Sequence, residues 1–406
     1  MVETSSLITH PVTDDERLVH HKLDLLLRTG CILVENAADT SRIIRTMKRV
    51  AMYLCIPIEN LHIYVNYNML MVNLSDVEKS YTKFQRVDKH GVNLDAIREI
   101  SHLSWDSIRK NLTLEEYERQ LTEIHQRKRN YTPWQVAIGG GLAFGCDWTA
   151  FFYASIAAIL GLRLRMFLNS KGSNGYFNIG LAAFVSTLLA WLFALISTRS
   201  GISFLESSTP WHPLLACALF IVPGVPLINF VSDMLSGFTQ VGITRATNTL
   251  LMLFAMAFGI AFAIQFCGID NFVHDLSMIP HHTYDEYMLA AAISAIGFSM
   301  IFNVPRHMML FVALGGIVAV CTRNFVNLGA SSGNVGLDMG LIVGSFVGSA
   351  VISIICCFMV RRLHTPHQCL SIPSVIPMIP GVLMYRALFA FINMHGVIGE
   401  VTVAMN

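Results

Sequence analysis

Residues 176–198 read YFNIGLAAFVSTLLAWLFALIST and contain no Asp, Glu, Lys, Arg or His. A helix needs about 20 apolar residues to cross a hydrocarbon core about 30 Å thick. This stretch is long enough, so the sequence predicts a membrane-spanning helix here. Whether the whole chain is a membrane protein depends on the residues around it.

The composition of the whole chain is also unusually apolar and poor in charge. Of its 406 residues, 53% are hydrophobic and 14% are charged, whereas soluble domains carry about 25% charged residues. No lysine follows Lys171, so the N-terminal part is the polar part. We predict a polytopic α-helical protein in a lipid bilayer. The formal net charge of +1 and the lack of a basic, aromatic stripe give no indication of nucleic-acid binding.

Positive charge predicts how the chain crosses the membrane. Basic residues at 127–129 and at 163–171 flank the apolar stretch 132–167, and by the positive-inside rule both clusters belong on the cytosolic side. An even number of crossings must separate them, so we expect two short spans divided near residues 145–147. The other spans are predicted at about 176–197, 212–230, 246–267, 287–303, 307–322, 337–360 and 372–393, and the apolar tail from residue 396 leaves open a tenth span.

The polar N-terminal part is predicted to be a small α+β domain over residues 16–130, after a disordered stretch at 1–15. Helical periodicity predicts two helices that turn near residues 36–39, with Asp39 as the N-cap of the second. LHIYVNYNMLMVNLS is typical of a hairpin and YTKFQRV of a further strand. Helices are expected from Asn93 and Thr113.

The first residues, MVETSSLITHPVTDDERL, lack a basic leader followed by an apolar core. We therefore expect no cleaved secretory signal and a domain that stays in the cytosol. Arg28, Arg42 and Arg45 could bind an acidic ligand, but we interpret them as a solvated helix face.

A Pro-Gly-Val sequence occurs twice, in IVPGVPLIN at 221–229 and in IPGVLM at 379–384. Proline removes a helical hydrogen bond and glycine frees the backbone, so each copy should interrupt its helix. Five crossings precede the second membrane unit, so the two broken helices would run in opposite directions. This pattern is typical of an inverted repeat with a substrate site at the paired breaks, here in units 131–270 and 285–406. The alternative is that Pro-Gly only kinks each helix.

Polar and charged residues near the breaks are the candidates for a pathway of substrate or coupling ion, because a charge at a helix centre costs about 3 kcal/mol. Asp233 could carry protons or meet a substrate amine, and Arg386 could meet a carboxylate. Asp147 is either a gate or a surface turn, and Arg245 also fits a topology anchor. The candidates are Pro223, Gly224, Pro226, Asn229, Asp233, Arg245, Pro380, Gly381, Tyr385, Arg386 and Asp147.

Three further patterns indicate structure and not chemistry. Gly340, Gly344 and Gly348 repeat every fourth residue, which permits a close helix contact. Asp338 is expected to cap the helix that follows it. The nine cysteines form no CxxC pair, so we expect buried thiols, with no metal site and no cofactor.

Two segments resemble the signatures of a known family. LLLRTGCILVENAADTSRIIRTMKRVA, at residues 25–51, resembles the N-terminal signature of the threonine/serine exporter family, and VPGVPLINFVSDMLSGFTQVGITR, at 222–245, resembles its membrane signature. The second half resembles a small membrane partner that some members, two-component exporters of dicarboxylate such as succinate, encode separately. The chain departs from the pattern at Ala37 and Cys55, where the family is expected to have glycine.

The resemblance implies a cytosolic N-terminal domain, about ten membrane helices, and efflux of threonine and serine driven by the proton motive force. The alternatives are export of a dicarboxylate, or a membrane scaffold or receptor without transport. No enzymatic activity is expected, because GxxxxGK[ST] and HExxH are absent. The expected partners are a small solute, protons and the bilayer of the cell or inner membrane. A homo-oligomer is compatible with this organisation.

Overall fold

A computed structural model of the chain is mostly helical, with one small sheet near the N-terminus. The structure describes residues 14–76, 79–141, 148–200, 212–218, 222–268, 283–329, 335–363 and 365–378.

Four helices and a three-stranded antiparallel sheet make up the N-terminal region. The side chains of Asp39, Asn93 and Thr113 each accept a hydrogen bond from the backbone N–H three residues on, at 3.0–3.2 Å. The N-cap predicted at Asp39 and the helix starts predicted at Asn93 and Thr113 are therefore confirmed. The elements are α1 Asp14–Glu35, α2 Thr40–Tyr53, β1 Leu61–Val65, β2 Met69–Ser75, β3 Ser80–Arg86, α3 Leu94–Arg109 and α4 Leu114–Gln126.

The sheet has the order β1-β2-β3, with Leu61 opposite Leu74 and Met69 opposite Arg86. The predicted hairpin and third strand are therefore confirmed. Alternate residues such as Leu70 and Val72 are buried against the helices, as expected for a sheet with one covered face. The tip of the hairpin, at residues 66–68, is directed toward the membrane helices.

The remaining described chain is helical. Five of its helices are long and apolar enough to cross a membrane, at Phe151–Ser170, Gly175–Ser200, Thr239–Phe266, Arg306–Asn327 and Leu341–Val360. The total of nine or ten spans stays a prediction. The helices are α5 Pro133–Gly141, α6 Trp148–Ser170, α7 Gly175–Ser200, α8 His212–Ala216, α9 Gly224–Leu235, α10 Thr239–Phe266, α11 Tyr284–Ile301, α12 Met309–Asn327, α13 Leu341–Leu363 and α14 His367–Val375.

The segment predicted as one span at 212–230 is not a single helix. The short α8 ends at Ala216, Pro223 is not helical, and α9 begins at Gly224 and continues to Leu235. In the second unit α14 contains Pro373 and is followed by a 3₁₀ turn at Ile376–Met378. The division predicted near 145–147 falls in 142–147, outside the described residues.

Glycines allow the closest helix crossings. A Cβ on Gly297 of α11 would overlap the carbonyl oxygen of Gly139 in α5, so these two helices cross in direct contact. Added Cβ atoms on Gly344 and Gly348 would come within 2.5 Å and 2.7 Å of backbone oxygens of α12. The predicted close approach is therefore confirmed for these two glycines, whereas Gly340 lies before α13 with φ of +84°.

The prediction that Asp338 caps its helix is wrong. Asp338 lies three residues before the first residue of α13 and has φ of +53°. Its N–H donates to the carbonyl oxygen of Leu328 at 3.0 Å. The residue therefore belongs to the loop that precedes α13.

The N-terminal domain is bound to the second membrane unit through the turn after α11. The Leu94 N–H donates to the Phe302 carbonyl oxygen at 2.9 Å. Asn303 Nδ2 donates to Asn93 Oδ1 at 2.7 Å, and Asn303 Oδ1 accepts from the Asn130 N–H at 2.8 Å. Backbone and amide groups thus attach the start of α3 to this end of the helix bundle.

Candidate functional site

The Pro223-Gly224 break is a defined turn. Pro223 has φ of −79° and ψ of 66°, and the Gly224 N–H donates to the Val222 carbonyl oxygen at 2.8 Å. These values describe an inverse γ-turn. Pro226 lies in the first turn of α9, where backbone N–H groups have no acceptor within the helix. Proline has no N–H, so it leaves no donor unsatisfied there. The predicted helix break is present, and α9 starts from it.

Behind the break, α9 and α10 hold a buried ion pair. Asp233 Oδ2 lies 3.2 Å from Arg245 Nη1, and the two side chains are only 1% and 7% exposed. The connection between the helices turns sharply at Gly237, with φ of +83°, which brings the two side chains together. Removing either partner would leave a buried charge without compensation.

The turn between α1 and α2 binds this ion pair from the N-terminal domain. The Thr40 N–H donates to Asp233 Oδ1 at 2.9 Å. Arg245 Nη2 donates to the Ala38 carbonyl oxygen at 3.0 Å, and Asn229 Nδ2 donates to the Ala37 carbonyl oxygen at 2.7 Å. We call this set of contacts the signature joint, because it connects the two segments that carry the family resemblance.

The same end of α2 also reaches the second membrane unit. Arg42 Nε donates to Gln368 Oε1 of α14 at 2.7 Å and lies 3.5 Å from Asp39 Oδ2. Arg42 was interpreted as part of a solvated helix face, and that interpretation is wrong because the side chain is only 12% exposed. Arg28 does fit it, since it pairs with Glu118 at 2.7 Å and is 37% exposed.

A cavity of about 370 Å³ lies beside the joint, between the N-terminal domain and the helices of the first membrane unit. Its lining residues are Val34, Ala37, Tyr67, His90, Gly91, Val92, Arg129, Tyr131, Pro133, Val136, Leu162, Arg165, Met166, Asn169, Val222, Pro223, Gly224, Val225, Pro226, Asn229, Arg245, Asn248, Thr249, Met252, Ile301 and Phe302. Only the last two come from the second unit.

The lining of the cavity is cationic. It includes Arg129, Arg165 and Arg245, and among the described lining residues there is no Asp or Glu. Asp233 compensates Arg245, but the described residues place no carboxylate within ion-pair distance of Arg129 or Arg165. Arg129 donates to the carbonyl oxygens of Val92 and Ile301 at 3.2 Å and 2.6 Å, and burial lowers its pKa. The α9 N-terminus adds partial positive charge, so the cavity favours an anionic group.

The N-terminal domain contributes an aromatic pair to the cavity wall. The Tyr67 and His90 rings stack with centroids 4.2 Å apart and planes at 18°. Burial and then the charge of Arg245 lower the pKa of His90, which favours a neutral imidazole near pH 7. The site therefore combines membrane helices with a loop-borne aromatic pair.

The structure gathers six of the predicted pathway residues around this cavity. Five of them line it, namely Pro223, Gly224, Pro226, Asn229 and Arg245. Asp233 lies behind Arg245 and reaches the cavity only through that side chain. The other candidates, Asp147, Pro380, Gly381, Tyr385 and Arg386, lie outside the described residues.

Sequence reasoning missed most of the lining residues, among them Arg129, Arg165, Tyr67 and His90. Arg129 and Arg165 were assigned only to clusters that orient the chain, although an arginine within the apolar run GLRLRMF was a usable signal. Tyr67 and His90 gave no such signal, because a tertiary contact between the domain and the bundle brings them to the site.

Comparison with known proteins gives a consistent result along the chain. A family model of threonine/serine exporters, ThrE, matches residues 24–267, and a second model described as "Threonine/Serine exporter, ThrE" matches residues 287–405. No solved structure matches the chain.

Three relatives extend this result. The chain is 20% identical to the threonine/serine exporter of Corynebacterium glutamicum, over 96% of this chain and 80% of the relative. It is 18% identical to the "Probable threonine/serine exporter" of Mycobacterium tuberculosis strain H37Rv, over 91% and 70%. It is 22% identical to the "Probable succinate transporter subunit YjjP" of Escherichia coli strain K12, over 64% of this chain and 99% of the relative.

Proposed function

Because the chain belongs to the threonine/serine exporter family, we propose that it is a secondary exporter of small amino acids, threonine and serine first. Two of its relatives with exporter names align with more than nine-tenths of the chain. The family consists of transporters, so the expected absence of enzymatic activity fits this membership. The solute binds in the cavity between the N-terminal domain and the first membrane unit.

One observation carries the proposal, namely that the cavity joins the Pro223-Gly224 break to an arginine-rich, acid-free lining. A carboxylate is the group that every amino acid offers to such a site. Arg165 has no ion-pair partner among the described residues and can bind that carboxylate in a bidentate way. The amide oxygens of Asn169 and Asn248 also line the cavity. They accept from Asn178 at 2.7 Å and from Tyr176 at 2.6 Å, and each can accept a second hydrogen bond from the ammonium or hydroxyl group.

The cavity lies on the cytosolic side in this proposal. Arg129 and Arg165, from the two basic clusters, meet in the same cavity at the end that carries the N-terminal domain. The positive-inside rule assigns that end to the cytosol. Solute would enter beside the domain and leave at the opposite face of a cell or inner membrane.

The two units form an inverted repeat in this proposal. Each Pro-Gly-Val sequence follows a short helix that packs against two long ones, with α8 against α6 and α7, and α14 against α12 and α13. Paired broken helices of this kind are typical of secondary transporters. Coupling to the proton motive force would use Asp233, because protonating its carboxyl would release Arg245.

A second candidate function, export of a dicarboxylate, is favoured by the lack of an acidic lining residue among those described. An ammonium group would find no carboxylate there, whereas a second carboxylate could pair with Arg129. The chain is also similar to the succinate transporter subunit over 64% of its own length.

The test is counterflow and efflux in proteoliposomes of the purified protein, loaded with labelled threonine, serine or succinate. We expect threonine and serine to move and net efflux to collapse with a protonophore. Movement of succinate alone would establish the second candidate. Movement of none of these solutes would overturn the proposal and favour a scaffold or receptor.

A matched pair of variants links transport to the cavity. Arg165→Gln should raise the KM for the transported solute about tenfold or more, because a charged hydrogen bond is lost. Arg163→Gln is the control, since Arg163 lies on the same helix but stacks over Trp134 at 4.6 Å. Equal effects of the two variants would count against binding in this cavity.

A further inference from the structure

The tip of the β1–β2 hairpin presents a tyrosine to the cavity. Tyr67 lies between the strands at residues 66–68, and its ring stacks on His90 from the 87–93 segment. His90 Nε2 lies 3.1 Å from Asn68 Oδ1, so the histidine ring is held by the same hairpin. Both rings therefore have fixed positions at the cavity wall.

The hydroxyl group of Tyr67 has no hydrogen-bond partner within the described ranges, although the residue is mostly buried. Its backbone N–H, in contrast, is satisfied by Asn66 Oδ1 at 2.6 Å. Burial raises the pKa of Tyr67, and the nearby Arg245 only partly opposes this effect. The phenol therefore keeps its proton at neutral pH and can donate it.

The Tyr67 hydroxyl oxygen is accessible from the cavity, so a solute that enters the cavity can accept a hydrogen bond from it. The cavity that it faces also contains Arg129 and Arg165, which have no carboxylate partner among the described residues. The acceptor that suits all three donors is a carboxylate oxygen.

We propose that the Tyr67 hydroxyl group donates a hydrogen bond to a carboxylate of the transported solute, so that the N-terminal domain supplies part of the transport site. This inference rests on the proposed function and names a substrate-binding residue outside the membrane helices. His90 is a positioning residue, because its stacked ring fixes the direction of the Tyr67 hydroxyl group.

The chain offers a matched control in Tyr64, on the same hairpin. The Tyr64 hydroxyl group donates to Gln240 Oε1 of α10 at 2.9 Å, so it connects the domain to the bundle, but Tyr64 does not belong to the cavity lining. Replacing either tyrosine by phenylalanine removes one oxygen and keeps the ring. Any difference between the two variants therefore reports on the cavity.

The experiment compares wild type, Tyr67→Phe and Tyr64→Phe in proteoliposome counterflow. We expect Tyr67→Phe to raise the KM about tenfold with a maximal rate within twofold of wild type, since a hydrogen bond to a charged group is lost. Tyr64→Phe should keep the wild-type KM. Thermal shift of the detergent-solubilised proteins, titrated with threonine and with succinate, should show the same tenfold loss of apparent affinity for Tyr67→Phe.

A double-mutant cycle of His90→Ala and Tyr67→Phe distinguishes a positioning role of His90 from a general loss of structure. His90→Ala should raise the KM in the wild-type background and have no further effect in the Tyr67→Phe background, because the hydroxyl group that it orients is gone. If wild type transports but Tyr67→Phe keeps the wild-type KM and thermal shift, the inference is wrong while the proposed function stands. If wild type moves no solute and shows no thermal shift, the proposed function fails and this inference fails with it.

Discussion

At the scale of single residues, both departures from the expected family pattern occupy glycine positions. Ala37 and Cys55 have φ of 63° and 54°. Each follows a helix whose end is closed by two backbone bonds, for example from the Ile56 N–H to the Ala51 carbonyl oxygen at 2.9 Å and from the Cys55 N–H to the Met52 carbonyl oxygen at 3.1 Å. This is the Schellman arrangement, in which a left-handed residue, usually glycine, follows the helix.

Cys55→Gly should therefore stabilise the protein by about 0.5–1 kcal/mol. The left-handed conformation costs a residue with a Cβ about 1–2 kcal/mol, and the larger unfolded-state entropy of glycine offsets part of the gain. Thermal unfolding in detergent measures the effect. Ala51→Gly, inside α2, is the control and should destabilise; a lower melting temperature for Cys55→Gly would contradict the prediction.

The Asp233–Arg245 pair gives a second prediction at this scale. Because both side chains are buried, Asp233→Asn should destabilise the protein by about 3–5 kcal/mol by leaving the arginine charge uncompensated. The double variant Asp233→Asn, Arg245→Gln should recover part of the loss. Asp106→Asn is the control, because its pair with Lys110 is exposed and contributes about 1 kcal/mol at most.

Thermal unfolding and membrane abundance of these four proteins decide the matter. If Asp233→Asn unfolds at the wild-type temperature but no longer exports solute, the carboxylate acts in coupling and contributes little to the joint. If Asp233→Asn is as stable and as active as wild type, the carboxylate neither stabilises the joint nor acts in coupling.

At the scale of elements, the crossing of α5 and α11 depends on two glycines in direct contact. Gly297→Ala would push α11 away from the Gly139 carbonyl oxygen, and forcing a methyl group into such a contact costs about 1–3 kcal/mol. We expect a lower melting temperature and reduced transport, because α5 also forms one wall of the cavity. Gly175→Ala is the control, since no heavy atom lies within 4 Å of its added Cβ, and a Gly297→Ala protein as stable as this control would refute the prediction.

Local chemistry explains which elements could be predicted from the sequence. Asp39, Asn93 and Thr113 act within three residues of themselves, so the helix starts that they cap were predicted correctly. The length of α9 was not predictable in this way. Its start at the Pro-Gly break is local, but its extension to Leu235 depends on packing against α10.

At the scale of the whole molecule, the site could be predicted only in part. Asn229, Asp233 and Arg245 were identified as candidates because polar groups beside an interrupted apolar helix are unusual. Their binding to the α1–α2 turn could not be predicted from the sequence. Asn229 and Ala37 are 192 residues apart, and no local pattern connects them. No sequence pattern indicated that the N-terminal domain closes one side of the cavity.

The signature joint also has a consequence for how the family varies. On the side of the N-terminal domain it uses the Ala37 and Ala38 carbonyl oxygens and the Thr40 N–H, so Asn229, Arg245 and Asp233 bind main-chain atoms. Any residue that keeps the shape of the turn offers those same atoms. Substitutions in the turn therefore require no matching change in the helices. Correlated substitution reports contacts between side chains, so we expect it to give no signal between the turn and the helices, although the signature joint is buried.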